Sequence, residues 1–111
     1  MWVGDFKQNG KAYDMTFDPL YIGDLPEVYG LGEDAYGAFT LSGSRDGQNV
    51  TFNKHYNSLD KVMQVMKRVV DDYYITYTGT LDENDVLTGD WQIYMNDEAN
   101  SAHGQFELHK Q

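Results

Sequence analysis

The chain of 111 residues is predicted to be all-β, an eight-stranded antiparallel up-and-down barrel with one short helical insertion over about residues 58–70. Three observations predict it. Short runs of alternating polar and apolar residues recur along the chain, a period that places every second side chain on one face of a strand. Turn residues separate these runs at short, regular intervals. A Gly-x-aromatic beat recurs inside them, at Gly37-Ala38-Phe39, Gly89-Asp90-Trp91 and Gly104-Gln105-Phe106, with Gly79 two residues after Tyr77. A core-facing glycine lets a sheet bend sharply, and an aromatic beside it fills the space, as a small closed barrel requires.

The first strand is Trp2 to Phe6, followed by Lys7-Gln8-Asn9-Gly10, whose Asn-Gly pair is a strong hairpin signal. Ala12 to Phe17 then puts Tyr13, Met15 and Phe17 on one face. Pro19 and Pro26 bracket an irregular link, and Val28 to Gly32 is a short, glycine-rich strand. Tyr36 to Gly43 and Asn49 to Tyr56 form a hairpin across Ser44-Arg45-Asp46-Gly47. Leu59 to Val70 breaks the pattern. Its apolar residues (Leu59, Val62, Met63, Val65, Met66, Val69, Val70) follow a helical period, with Asn57 or Ser58 as the cap and Asp60 in the first turn. That stripe packs on the barrel mouth or on a second subunit. Tyr73 to Leu81 and Val86 to Tyr94 make a second hairpin, and His103 to His109 is the last strand.

Nothing divides the chain, so residues 1–111 are read as one domain with a single modest core. There is no cysteine, which excludes disulfides, zinc-thiolate sites and thiol nucleophiles. Met1 to Phe6 lacks a basic-then-apolar leader, and with the cysteine-free composition this leads us to expect a cytoplasmic protein. No apolar run approaches the roughly 20 residues that span a bilayer, so no membrane partner is expected. Acids outnumber bases 18 to 8, for a net charge of -10, with clusters at Asp71-Asp72, Asp82 to Asp85 and Asp97-Glu98. Such a field repels phosphate backbones, and nucleic acid is not expected either.

Trp2-x-Gly4, Gly37 to Leu41 as Gly-x-Phe-x-Leu, Phe52-x-Lys54-x-Tyr56, Tyr77-x-Gly79, Gly89-x-Trp91 and Gly104 to Leu108 as Gly-x-Phe-x-Leu run in series. Together they resemble the small lipocalin-like and avidin-like (calycin-type) barrels, including intracellular modules of this size. The resemblance implies a barrel that binds rather than catalyses. Trp2 precedes Gly4, where secreted lipocalins carry Gly-x-Trp, and no set of biotin-binding residues can be matched.

The alternation places Lys54 on the inward face between Phe52 and Tyr56. A buried ammonium is costly unless paired, so this lysine is the sharpest anomaly in the chain. One reading makes Lys54 a cavity residue for an anionic or polar head group, with Tyr13, Tyr56, Tyr77 and Trp91 supplying hydroxyls and stacking surfaces. The other pairs Lys54 with Glu33 or Asp34 on the adjoining turn. No acid is expected to face inward, which argues against two-carboxylate chemistry. No catalytic residue is assigned: Gly-x-Ser-x-Gly is absent, and Ser42-Gly43-Ser44 reads as turn chemistry. His103, Gln105, Glu107 and His109 form a solvated strand face, and Leu81 to Val86 departs from the calcium-loop pattern at Val86. No metal or cofactor is expected.

Two functions remain open from sequence. The first is a small-molecule binding barrel with an aromatic cavity partly covered by Leu59 to Val70. The second is an interaction module or homodimer with a filled core, using outer tyrosines (Tyr29, Tyr36, Tyr74, Tyr94) or the helix.

Overall fold

Eight strands follow one another round a closed barrel, each paired antiparallel with the next and the last with the first. They are β1 (Trp2–Gln8), β2 (Lys11–Tyr21), β3 (Glu27–Asp34), β4 (Gly37–Asp46), β5 (Asn49–Tyr56), β6 (Tyr73–Leu81), β7 (Val86–Met95) and β8 (Glu98–Lys110), with helix α1 (Asp60–Met66) between β5 and β6. The computed structural model describes all residues except Arg68, Asp71, Asn96 and Asp97, and only the backbone of residues 98–101. The acidic positions Asp71 and Asp97 singled out above therefore lie outside the described residues. No described helix is long and apolar enough to cross a membrane.

The Asn9-Gly10 signal is realised as a tight turn, with φ of 54° and 78° at the two residues. β2 runs four residues past its expected end at Phe17. A register shift between Phe17 and Leu20 absorbs Pro19, which has no N–H to give to a ladder, so the strand resumes and buries Leu20. β3 also runs beyond Gly32, to Asp34. Its inward positions are Val28, Gly30, Gly32 and Asp34, so two of the four carry no side chain.

The glycines work differently from the sequence-based expectation. The ring that covers a core-facing glycine comes from a neighbouring strand. Gly104 pairs with Trp91, and a Cβ at Gly104 would collide with the Lys7 carbonyl oxygen and lie 2.7 Å from the indole nitrogen of Trp91. Gly32 pairs with Phe39, whose ring would lie 2.8 Å from a Cβ there. In Gly37-Ala38-Phe39 the glycine is not core-facing at all. Gly37 is exposed, with φ of 122°, and serves the β3–β4 turn.

In an up-and-down barrel alternate connections lie at the same end. The β1–β2 and β3–β4 turns therefore share one end with α1 and with the end of β7, and the β2–β3, β4–β5 and β6–β7 connections lie opposite. At that opposite end Arg45 donates to the carbonyls of Gly23 at 2.7 Å and Gly47 at 2.9 Å, tying the β2–β3 link to the β4–β5 turn. Trp2, Phe17, Leu20, Val28, Leu41, Val50, Leu81, Leu87 and Leu108 are all buried.

α1 is shorter than the expected 58–70 segment. Lys67 turns left-handed, at φ 57°, and its N–H donates to the Met63 carbonyl, which ends the helix. The N-cap is Leu59 rather than Asn57 or Ser58, although the Ser58 hydroxyl accepts from the Asp60 N–H at 3.3 Å. Val62 is buried, and Leu59, Met63 and Met66 pack on the core. The stripe thus meets the barrel mouth, while Val65 and Val69 stay exposed.

Candidate functional site

Three elements converge at the α1 end. On β5 the inward residues are Val50, Phe52, Lys54 and Tyr56, and Lys54 is fully buried. On β3 the same alternation ends at Asp34, whose side chain is also fully buried. The Lys54 ammonium donates to Asp34 Oδ2 at 2.5 Å, and the Tyr56 hydroxyl donates to that oxygen at 2.8 Å. Asp34 Oδ1 accepts the Tyr36 backbone N–H at 2.8 Å. The tight β3–β4 turn makes that last bond available, since it brings Tyr36 back over Asp34.

The expectation that no acid faces inward is therefore wrong. Asp34 does, as an ion-pair partner. Glycines at its two preceding inward positions hid the period from the sequence. Three donors satisfy the oxygens of this buried carboxylate, as a buried polar group requires.

Around the ammonium stand the rings of Phe6, Phe39, Tyr56 and Tyr77, with centroids 4.8–5.1 Å from Nζ. The Met15 sulfur accepts from Lys54 at 3.7 Å and from the Tyr77 hydroxyl at 3.6 Å. Burial pulls the Lys54 ammonium down from 10.5 to about 8, outweighing the opposing pull of Asp34. Burial, followed by the charge of Asp34, pushes the Tyr56 and Tyr77 hydroxyls well above their ordinary range. Lys54 is thus a caged and neutralised cation rather than a reachable nucleophile.

Beside this cage, under α1, lies a cavity of about 130 Å³. Phe6, Tyr36, Tyr56, Tyr73, Tyr77 and Trp91 supply its aromatic wall. Ile75, Ile93 and Ala102 complete the barrel side, Val62, Val65 and Met66 form the roof, and Gln8 adds one amide. Tyr36, Tyr56 and Tyr73 form an arc, with centroids 6.1 Å and 6.2 Å apart between successive rings. Each comes from the mouth end of its strand or turn, so the meander itself assembles the arc.

Of the five expected site residues, Tyr56, Tyr77 and Trp91 line this cavity. Lys54 does not line it, since its ammonium is taken by Asp34. Tyr13 does not line it either. It is half-buried next to the wall, stacked on Phe6 at 5.2 Å. Tyr36 was expected outside and instead lines the cavity, because it belongs to the turn that folds over the mouth. Sequence reasoning also left out Tyr73, which begins its strand at the mouth. Tyr74 and Tyr94 do lie outside, in a stacked row with His55 at spacings of 5.3 Å and 5.2 Å. His103, Gln105, Glu107 and His109 are exposed on β8. Among the described residues no three His, Cys, Asp or Glu side chains come together as metal ligands.

Comparison of the chain with family models, with curated proteins and with solved structures finds no match.

Proposed function

We propose that this chain is a calycin-type binding barrel that holds a small molecule in the cavity beneath α1. The carrying observation is the cavity itself, about 130 Å³ with six aromatic rings in its wall, in a barrel otherwise filled with side chains. Such concave, mostly apolar spaces with a few polar groups are where small molecules bind. The buried cage supports a binding rather than a catalytic role, because its one lysine and one carboxylate neutralise each other. The cysteine-free sequence supports a cytoplasmic setting. Native mass spectrometry of the purified protein, compared with its denatured mass, tests the reading. A retained small molecule that is lost in Val62→Trp, which fills the roof of the cavity, supports it. A bare protein whose melting temperature no small apolar or aromatic compound raises overturns it.

A second reading is favoured by the outer face of β2 and β3. Tyr21, Tyr29 and Leu31 are half or more exposed there, and the two tyrosine rings lie 4.9 Å apart. In this reading the barrel is an interaction module, a homodimer included. Light scattering decides the homodimer: a dimer that Tyr29→Lys converts to monomer supports it, and a monomer at high concentration sinks it.

A further inference from the structure

The binding reading leaves open which molecules the cavity takes, and its size, wall chemistry and charge narrow the class. An apolar protein cavity of about 150 Å³ accommodates one benzene ring, whereas pockets for drug-sized ligands begin near ~300 Å³. At about 130 Å³ the space here suits one six-membered ring. It cannot extend toward the barrel axis. Tyr77 stacks on Phe52 at 4.9 Å and meets Phe106 edge-on at 4.9 Å, and Met15 and Lys54 are fully buried beside them. A long acyl chain has no room.

Among the described residues the wall carries no charged side chain. Among the described residues the nearest cation is Lys54, which Asp34 holds, so they offer no free positive charge to an anion. Burial raises the Tyr36 and Tyr73 hydroxyls, and after a neighbouring tyrosine the charge of Asp34 adds to the shift of each. A carboxylate entering here would lose its hydration and gain no counter-charge. Polar recognition is still provided. The Tyr56 hydroxyl is committed to Asp34, but those of Tyr36 and Tyr73 make no hydrogen bond among the described residues. A hydroxyl both donates and accepts.

We propose, resting on the binding reading above, that the cavity selects neutral molecules with one six-membered aromatic ring and one hydrogen-bonding substituent, phenol being the simplest. Tyr36 and Tyr73 recognise the substituent, and Asp34 sets the preference against anions by capturing Lys54.

The test is a titration of the isotopically labelled chain, followed by backbone and tyrosine resonances, with phenol, toluene, benzoate and octanoate, and with xenon as a probe of the cavity alone. Phenol is expected to shift the resonances of Tyr36, Tyr73 and Trp91 with a dissociation constant at or below about 1 mM. Benzoate and octanoate are expected to bind at least about tenfold more weakly. The double variant Tyr36→Phe with Tyr73→Phe keeps both rings, so it should fold. It is expected to weaken phenol by about tenfold and leave toluene unchanged. Tighter binding of octanoate or benzoate than of phenol overturns the proposed class while the binding reading stands. Equal phenol binding by the double variant overturns the roles of Tyr36 and Tyr73. If no probe, xenon included, shifts the cavity resonances, the binding reading falls and this inference falls with it.

Discussion

The carboxylate of Asp34, at the last position of β3, meets the ammonium of Lys54, on β5, at 2.5 Å inside the barrel, with both side chains fully buried. The strand between them, β4, pairs with both, so the contact reaches across one strand of the barrel wall. Taking two charges out of water is expensive, and their attraction offsets that only when the geometry is good and the remaining hydrogen-bond sites are filled. Tyr56 and the Tyr36 N–H fill them on the carboxylate. Four aromatic rings and a thioether surround the ammonium.

Breaking one side of this pair should cost far more than replacing both. Lys54→Met is expected to destabilise the fold by about 3–5 kcal/mol, since Asp34 is left charged and buried. Lys54→Met combined with Asp34→Asn should recover much of that loss. Urea denaturation of the two single variants and the double variant measures the coupling. Strict additivity of the two single losses would remove the pair from the account of stability.

Tyr56→Phe isolates the second donor. It keeps the ring, which packs edge-on against Phe39 at 6.2 Å, and deletes only the bond to a charged oxygen. A loss of about 2 kcal/mol is expected. A loss below about 0.5 kcal/mol, the range of an ordinary surface substitution, would mean that Lys54 and the Tyr36 N–H hold the carboxylate without it.

Stability should vary with pH in the alkaline range. The folded value for Lys54, about 8, lies below the ordinary 10.5. Below pH 8 both folded and unfolded states carry the proton, and the cost of the buried charge is fully present. Between pH 8 and 10.5 the unfolded chain binds more protons, so stability rises with pH, by about 3 kcal/mol at most. Tyr56, Tyr73 and Tyr77 act oppositely, because their hydroxyls are raised in the fold. Above about pH 10 the unfolded tyrosines lose protons that the folded ones keep, and stability falls. A maximum near pH 9–10 is therefore expected in urea midpoints measured against pH. In Lys54→Met the rise above pH 8 should vanish while the fall above pH 10 remains.

Gly104→Ala tests the close approach of Trp91. The indole N–H donates to the Lys7 carbonyl at 3.1 Å directly over Gly104, and a methyl group there has no space. A loss of about 2 kcal/mol is expected, with a shift in tryptophan fluorescence as the indole is displaced. Gly47→Ala serves as a comparison of the opposite kind. Its cost is backbone strain at φ 61° with open space around the Cβ, so the fluorescence should not move.

Much of the barrel was legible because the side-chain period survives in its strands. β5 alternates Val50, Phe52, Lys54 and Tyr56, and that pattern alone placed Lys54 inside. The Asn9-Gly10 turn and the helical period around Val62 are local as well. Physical chemistry within a few residues decides them. The register of β3 was not legible, since Gly30 and Gly32 erase the apolar signal that would have carried the period on to Asp34. Nor was the extension of β2 past Pro19, which depends on a bulge matched to its partner strand.

The site depends on closure, which no local signal encodes. Tyr36, Tyr56 and Tyr73 lie on separate turns and strand ends, and they become neighbours only because alternate connections of a closed meander share one end. The same closure sets Asp34 against Lys54, so that a lysine legible as buried proves to be caged rather than open to a ligand. By itself the sequence determined which residues face inward along most strands, since strand geometry fixes that within each strand. The tertiary structure decided which inward groups meet, because contacts between strands depend on register and on the number of strands in the ring.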